Sequence, residues 1–368
     1  MDLDLFAYDL PERAVAQRPA EPRDAARLLV DRGPKAPPEH RIVRDLPSLV
    51  GPGDLLVVNT TRVLPARLRL RKETGGQAEV LVLERTGPGT WEALVRPGRR
   101  LPPGTVLVAG DDLAVEVGEP VADDGRRLVR LLLGGTAGGD AANGDGGNGD
   151  GEQSSLRAEL AALDRYGAVP LPPYITAPLD DPERYQTVYA ERPASVAAPT
   201  AGLHLTPAVL DACRAAGARV EPVELIVGLG TFRPIATPRV EDHRMHAERY
   251  RVPPATWEAC AAASRVLAVG TTTVRALEAA AVTGELSGRT DLFIRRPWRW
   301  RVVDALLTNF HMPRSSLLVL VDALVGPRWR QLYAEALAEG YRFLSFGDAM
   351  LLERDDEVAS RAEPEEPA

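Results

Sequence analysis

The chain has 368 residues, of which 45% are apolar and 26% charged, with a formal net charge of −8. These proportions are ordinary for a folded protein and exclude a mainly disordered one. The two cysteines, Cys213 and Cys260, exclude a disulfide scaffold, a cysteine-rich zinc site and a three-cysteine iron–sulfur cluster.

The length suggests two domains. No apolar run approaches the roughly 20 residues of a membrane-spanning helix. Met1-Asp2-Leu3-Asp4-Leu5 has neither a basic region nor a long apolar one, so no secretory leader and no membrane partner are expected, and the expected location is the cytoplasm. The acidity is uneven. Residues 353–368 carry −5 and residues 134–153 carry −4, which leaves the rest of the chain at about +1. The overall charge therefore does not argue against an anionic partner.

In chain order, the first signal is Asp54–Asn59 (DLLVVN), a candidate buried strand. From about Leu68 to Leu133, short alternating stretches follow: Ala78–Leu83, Trp91–Val95, Thr105–Val108, Leu113–Val117 and Arg127–Leu132. Gly75-Gly76, Gly87-Pro88-Gly89, Pro102-Pro103-Gly104 and Asp123-Asp124-Gly125 punctuate them, which predicts a small antiparallel barrel or sandwich. Residues 134–151 hold nine glycines in eighteen positions, and such a stretch has no apolar surface to bury. The periodicity then predicts helices over 154–165, 206–217, 255–264, 273–283 and 327–339. Strands are expected over 219–227, 265–269, 301–307 and 316–321. Alternation of this kind points to an α/β layer with a largely parallel sheet. The expected organisation is an α/β domain over 1–62 and 155–354 and a β-barrel over 63–133. A flexible linker over 134–154 and a disordered acidic tail over 355–368 complete it.

Several clusters carry chemical content. Asn59-Thr60-Thr61-Arg62 closes a hydrophobic strand, where open α/β sheets place ligands, and Arg62 there suits a carboxylate or phosphate. The alternative is a polar turn. Ser195–His204 is a run of small residues ending in one histidine, followed by a Thr206-Pro207 helix start. His204 is either a general acid/base or a packed histidine. Val227-Gly228-Leu229-Gly230-Thr231-Phe232-Arg233-Pro234 lacks the third glycine of a dinucleotide fingerprint. Gly270-Thr271-Thr272-Thr273-Val274-Arg275 opens a helix after a strand, as an anion site or simply as a well-capped helix. Thr308-Asn309-Phe310-His311-Met312-Pro313 is the densest polar set, with Asn309 and His311 leaving a strand end. His243 and His246 lack the HExxH pattern, so no metal is expected. Arg295-Arg296-Pro297-Trp298-Arg299-Trp300-Arg301 interleaves four arginines with two tryptophans and suits phosphates and unpaired bases. The alternative is a surface loop whose arginines cover the indole faces.

These segments, with Tyr8–Pro11, Arg23–Leu29, Leu171–Ile175, Glu183–Ala190, Val269–Glu278 and Tyr341–Met350, resemble the S-adenosylmethionine:tRNA ribosyltransferase-isomerase family of queuosine biosynthesis. The resemblance runs nearly end to end. It implies an α/β domain with a small antiparallel β-barrel inserted in it. It implies transfer and isomerisation of the ribosyl part of S-adenosylmethionine onto 7-aminomethyl-7-deazaguanine at the tRNA wobble position, with adenine and methionine released. S-adenosylmethionine is then a co-substrate, tRNA the macromolecular partner, no cofactor is required and the protein is a monomer. His204, His311 and Asn309 are the expected catalytic residues. Arg62, Asn59, Thr200, Thr272 and Arg275 are expected at the substrate, with Arg62 or Arg275 on the methionine carboxylate. Arg295, Arg296, Trp298, Arg299 and Trp300 are expected on the nucleic acid. The chain departs from the family pattern at Thr60, Ala194, Leu205, Ile226 and Arg296-Pro297, where the family commonly has Asp, Gly, Phe, His and Pro-Gly. Two other readings are a relative using a different acceptor and a tRNA-binding protein without catalysis.

Overall fold

The structure is a computed structural model that describes residues 1–121, 125–134, 150–228 and 234–360. In chain order the first strands are β1 (Arg27–Asp31), β2 (Glu39–Ile42), β3 (Asp54–Asn59) and β4 (Thr61–Val63). β5 (Arg67–Lys72), β6 (Gln77–Gly87), β7 (Thr90–Arg96), β8 (Val106–Val108), β9 (Leu113–Pro120) and β10 (Arg126–Leu133) come next. Helix α1 (Asp150–Tyr166) leads to β11 (Gly167–Ala168), β12 (Arg192–Ser195), α2 (Pro207–Ala215), β13 (Arg219–Leu225) and β14 (Glu248–Arg251). The last part holds α3 (Pro254–Ala262), β15 (Arg265–Val269), α4 (Thr271–Thr283), β16 (Ser287–Thr290), β17 (Ala305–Asn309), α5 (Ser316–Val325), α6 (Trp329–Ala338), β18 (Ala349–Glu353) and α7 (Asp356–Ser360).

The chain forms two compact units. One takes Met1–Arg62, Pro172–Arg192 and the chain from Ala198 on, and is built on a nine-stranded sheet of order β16-β14-β13-β3-β15-β17-β18-β1-β2. β13, β3, β15 and β17 run parallel, and so do β18 and β1, whereas β17–β18, β1–β2, β13–β14 and β14–β16 are antiparallel. The expected largely parallel sheet is thus corrected to a mixed one. Its central strands read as unbroken apolar runs because both faces are covered. Leu56, Val58, Leu267, Val269, Ala305 and Leu307 bury one face together with Leu205, Val209 and Cys213.

The four parallel strands bring Leu225, Asn59, Val269 and Asn309 to one edge of the sheet at their carboxyl ends. Such an edge is where α/β sheets bind ligands.

The second unit takes Val63–Leu171 and Pro193–Ala197. Its strands follow the order β11-β5-β6-β7-β10-β9-β8, and β8 pairs back onto β5, closing six antiparallel strands into a barrel without free edges. Alternate residues of β9 (Leu113, Val115, Val117) and β7 (Trp91, Ala93, Val95) are buried, as the period-2 pattern requires.

Three expectations differ. The sequence alone gives residues from 155 on to the α/β domain and 134–154 to a linker. Helix α1 instead starts at Asp150 and groups with the barrel. The reason is Glu159, which is buried and accepts hydrogen bonds from Arg85, Ser155, the Gly89 amide and the Trp91 indole. Burial alone would raise its pKa, but these donors hold it below the usual carboxylate range. Residues 135–149, the heart of the glycine-rich stretch, lie outside the described residues, as do 122–124 in the Asp123-Asp124-Gly125 turn. In the acidic tail, residues 356–360 form α7, and 361–368 lie outside the described residues.

Finally, residues 316–321, read as a strand, belong to helix α5. Ser315 caps it by accepting the Leu318 amide, and Leu318–Val325 are buried on every side. A continuous apolar run does not distinguish a buried helix from a buried strand, and here the capping serine decides.

Candidate active site

The site grows from the carboxyl ends of the parallel strands. β17 ends in Asn309, and the chain then turns through Phe310 and His311 toward the Ser315 cap of α5. β15 ends in Val269, and Gly270, at φ 91°, turns directly into α4. Only glycine takes that backbone conformation at little cost. A short 3₁₀ turn, Thr200–His204, packs beside β17.

Two adjoining clefts share Thr200, Asn309, His311 and Leu317. The first, of about 390 Å³, is also lined by Tyr174, Phe310, Met312, Leu344 and Ser345. The second, of about 350 Å³, is also lined by Ala198, Pro199, Gly270, Thr271, Thr272 and Thr308.

A hydrogen-bonded chain starts from two of the residues they share, Thr200 and Asn309. The Thr200 hydroxyl donates to Asn309 Oδ1 at 2.9 Å. Asn309 Nδ2 donates to the Leu344 carbonyl at 3.2 Å and to His204 Nε2 at 3.0 Å. Because a carbonyl can only accept, the amide orientation is fixed. His204 Nε2 is therefore the accepting nitrogen, and its proton sits on Nδ1. Leu344 itself holds φ 70°, one of two non-glycine residues with positive φ among those described. Such a conformation costs of order 1 kcal/mol and is kept where the surroundings demand it. Here it presents the carbonyl to Asn309.

The two histidines occupy different places. His311 lines both clefts. Its Nε2 lies 3.0 Å from Thr308 Oγ1, its amide donates to the Tyr333 hydroxyl, and its carbonyl accepts from the Tyr8 hydroxyl. His204 lines neither cleft and stands behind Asn309. Burial drives both pKa values down, to about 3 for His311 and about 4 for His204. For His204 the nearby Asp348 opposes that shift, but burial dominates. Both rings are neutral at pH 7, so His311 is in the proton-accepting form. The alternative of a packed histidine fits His204: it positions Asn309 instead of meeting the cleft.

The substrate-site expectations divide in the same way. Thr200 and Thr272 line clefts. Asn59 is fully buried behind Thr272, donating to its Oγ1 at 3.3 Å and to the Leu225 carbonyl at 3.0 Å, and accepting the Thr61 and Leu225 amides. With every polar atom used, Asn59 orients Thr272 and ties β3 to β13. Arg62 and Arg275, expected on a carboxylate, line neither cleft. Arg62 pairs with Glu183. Arg275 is buried against Glu248 and donates to the Leu292 and Thr290 carbonyls. A buried arginine must be paired in this way, and the sequence around it does not show that its partner lies 27 residues away.

The arginine–tryptophan segment is also corrected. Trp300 is 9% exposed, with its indole donating to the Ala323 carbonyl, so it offers no face to a base. Arg296 is held by Asp322. The Trp298 indole donates to Glu278, and the Arg301 guanidinium lies 5.8 Å from its ring centre. Arg299 is exposed and Arg295 half-buried, so these two keep access to an anionic partner.

Sequence reasoning assigned no role to Tyr174, Thr271, Thr308, Leu344 or Ser345. The Tyr174 and Ser345 hydroxyls are 2.7 Å apart although 171 positions separate them, and burial pushes the Tyr174 pKa up to about 12. No local pattern announces such a pair; the only signal was that both lie in segments carrying the family resemblance. Among the described residues no group of three or more His, Cys, Asp or Glu is placed to hold a metal ion. Of the Val227–Pro234 stretch, residues 229–233 lie outside the described residues. Ile226, where the family commonly has His, donates its amide to the Arg249 carbonyl.

The chain is 48% identical over 353 residues to the S-adenosylmethionine:tRNA ribosyltransferase-isomerase of Rubrobacter xylanophilus, covering 96% of this chain and 98% of that protein. It is also 48% identical to the protein of the same name from Thermus thermophilus, covering 95% and 99%. A crystal structure of the S-adenosylmethionine tRNA ribosyltransferase from Thermotoga maritima is 35% identical, with a TM-score of 0.51, covering 94% of this chain and 99% of that one. Residues 3–352 match the sequence family described as queuosine biosynthesis protein, and the chain belongs to that family.

Proposed function

We propose that the protein is an S-adenosylmethionine:tRNA ribosyltransferase-isomerase. In this reading it moves the ribosyl part of S-adenosylmethionine onto 7-aminomethyl-7-deazaguanine at the tRNA wobble position, forming epoxyqueuosine-tRNA and releasing adenine and methionine. The observation that carries the reading is that Thr200, Asn309 and His311 line both of two adjoining clefts, with His204 bonded to Asn309, in a chain of this family.

The residue types suit the steps. The sulfonium acidifies the neighbouring 5′ carbon, so a neutral base can take a proton there; the electron pair left behind forms a 4′,5′ double bond and opens the ring C–O bond, and the freed oxygen forms a carbonyl at C1′ as adenine leaves. The exocyclic amine of the tRNA base attacks, and closure of the epoxide expels methionine. His311, neutral and facing both clefts, is suited to proton transfer. Thr200, Thr272 and Asn309 offer polar contacts to ribose and adenine. His204 and Asn59 position Asn309 and Thr272. Each step is a proton transfer, an elimination, an addition or a displacement, so this reading uses S-adenosylmethionine as co-substrate and calls for no further cofactor. It takes the protein as a cytoplasmic monomer with tRNA as its partner, engaged by Arg299 and Arg295. No helix among the described residues is long and apolar enough to cross a membrane.

The test is to incubate the protein with S-adenosylmethionine and tRNA carrying the aminomethyl-deazaguanine base. Free adenine and a mass gain on the nucleoside are expected. tRNA binding without either product would replace this reading with a binding protein or a different acceptor. His311→Gln is expected to lower adenine release by roughly 10²- to 10⁴-fold, the range for loss of a general acid–base. Near-normal turnover would remove His311 from proton transfer.

A further inference from the structure

His311 lies past the end of β17 and before the Ser315 cap of α5, so neither a strand ladder nor a helix serves its backbone. The residue is buried, yet its amide and its carbonyl have no backbone partner among the described residues. Both groups are met by side chains instead. An amide can only donate, so the Tyr333 hydroxyl oxygen, from α6, accepts it at 3.0 Å. A carbonyl can only accept, so the Tyr8 hydroxyl donates to it. Burial pushes both phenol pKa values up, and both hydroxyls keep their protons. The peptide groups on the two sides of His311 are thus gripped by one phenol each.

The two phenols are themselves fixed. Their rings meet edge to face, 5.2 Å apart at 79°. Tyr333 also meets the Phe310 ring edge on at 5.3 Å, and Phe310 stacks on Phe343 at 4.6 Å. The segment that carries Tyr8 is tied to the same corner, because the Phe6 carbonyl accepts the Arg314 amide at 3.0 Å. With its backbone held on both sides, His311 has only its side-chain torsions left, and Thr308 Oγ1 lies 3.0 Å from Nε2 to hold the ring. A proton acceptor works only within hydrogen-bond reach of its proton, so the placement of this ring decides its use.

We infer that Tyr8 and Tyr333 are positioning residues for His311: their hydroxyls set the backbone of the proton acceptor and so the reach of its ring into the two clefts. Neither phenol lines a cleft, so both act through His311. This inference rests on His311 being the proton acceptor.

The test is Tyr8→Phe in the full chain, which keeps the ring and removes only the donor. The turnover number for adenine release should fall roughly tenfold, between the loss of one hydrogen bond and the cost of an ångström-scale misplacement. Affinity for S-adenosylmethionine, read by calorimetric titration, should hold. The ring signals of His311 in the NMR spectrum, assigned by their loss in His311→Gln, should shift or broaden, and those of His243 and His246 should stay. Tyr333→Phe removes the acceptor of the amide and should move the same readouts in the same direction, and it carries the test if Tyr8→Phe does not fold. Full turnover in a folded variant overturns the inference. A fall in turnover with the His311 signals unmoved, or one matched by lost affinity, overturns it as well, since either marks a general structural role. Near-normal turnover in His311→Gln instead removes the proton-acceptor reading, while the His311 signals still report whether the phenols hold its backbone.

Discussion

At Asn309 one carboxamide makes three hydrogen bonds, to Thr200, His204 and the Leu344 carbonyl. Asn309→Asp exchanges the two-proton donor for an acceptor facing a carbonyl and a histidine nitrogen. The expected cost is about 2–4 kcal/mol, measured as a shift in denaturation midpoint, because two partners lose their donor inside a buried site. The His204 pKa should rise in that variant, since a protonated Nε2 can donate to the new carboxylate, and a histidine NMR titration would show it. The two histidines also predict a pH dependence. Burial lowers both pKa values in the folded state, to about 4 and about 3, from an ordinary value of about 6.5. Below pH ~6.5 the unfolded chain binds protons that the folded chain refuses, so this contribution is present in full above that pH and declines as pH falls toward 4. Thermal melts from pH 7.5 to 4.5 should show the decline, and His311→Gln should make it shallower. A melting temperature as pH-sensitive in the variant as in the parent would show that His311 is not the source.

Two elements owe their shape to close approach and to a buried carboxylate. The Thr200–His204 turn lies so near Tyr189 that a Cβ on Gly202 would sit 2.0 Å from the tyrosine oxygen and 2.9 Å from Thr187 Cγ2. Gly202→Ala should therefore destabilise the protein by about 1–3 kcal/mol, as overpacking does. Adenine release should fall too, because the turn carries both Thr200 and His204. Lost stability with full activity would show that the turn tolerates the shift. The 298–303 segment is held differently. Glu278, buried in α4, accepts the Arg301, Val302 and Val303 amides and the Trp298 indole. Burial raises its pKa, although these donors pull the other way. Glu278→Ala leaves four donors without an acceptor. Amide exchange at Val302 and Val303 should accelerate, and exchange at the parent rate would show that the carboxylate does not hold the segment.

On the scale of the whole molecule, the arginine–tryptophan segment would offer an anionic partner few free groups, since Arg296 is tied to Asp322 and Trp300 is buried. Arg299→Ala is expected to weaken tRNA binding and to lower the salt slope by about 0.7–0.9, the value of one phosphate contact. Trp300→Phe should lower stability more than tRNA affinity. Affinity lost with an unchanged salt slope in Arg299→Ala would place Arg299 outside the phosphate contacts.

The sequence by itself determined five of the six barrel strands, β6 to β10, the buried strands β3 and β15, and the segments that hold Asn309, His311 and Thr200. These rest on local signals: alternation of period 2, unbroken apolar runs, and polar residues at strand ends. Only the tertiary structure decided that α5 is a helix, that the sheet is mixed, and that α1 belongs with the barrel through Glu159. It likewise decided that His204 stands behind Asn309, and that Arg62 and Arg275 are already paired. Apart from α5, whose Ser315 cap is local, the deciding partner lies far away in the chain. A buried charge or amide is fixed by whichever distant group completes its hydrogen bonds, and no local pattern records that choice.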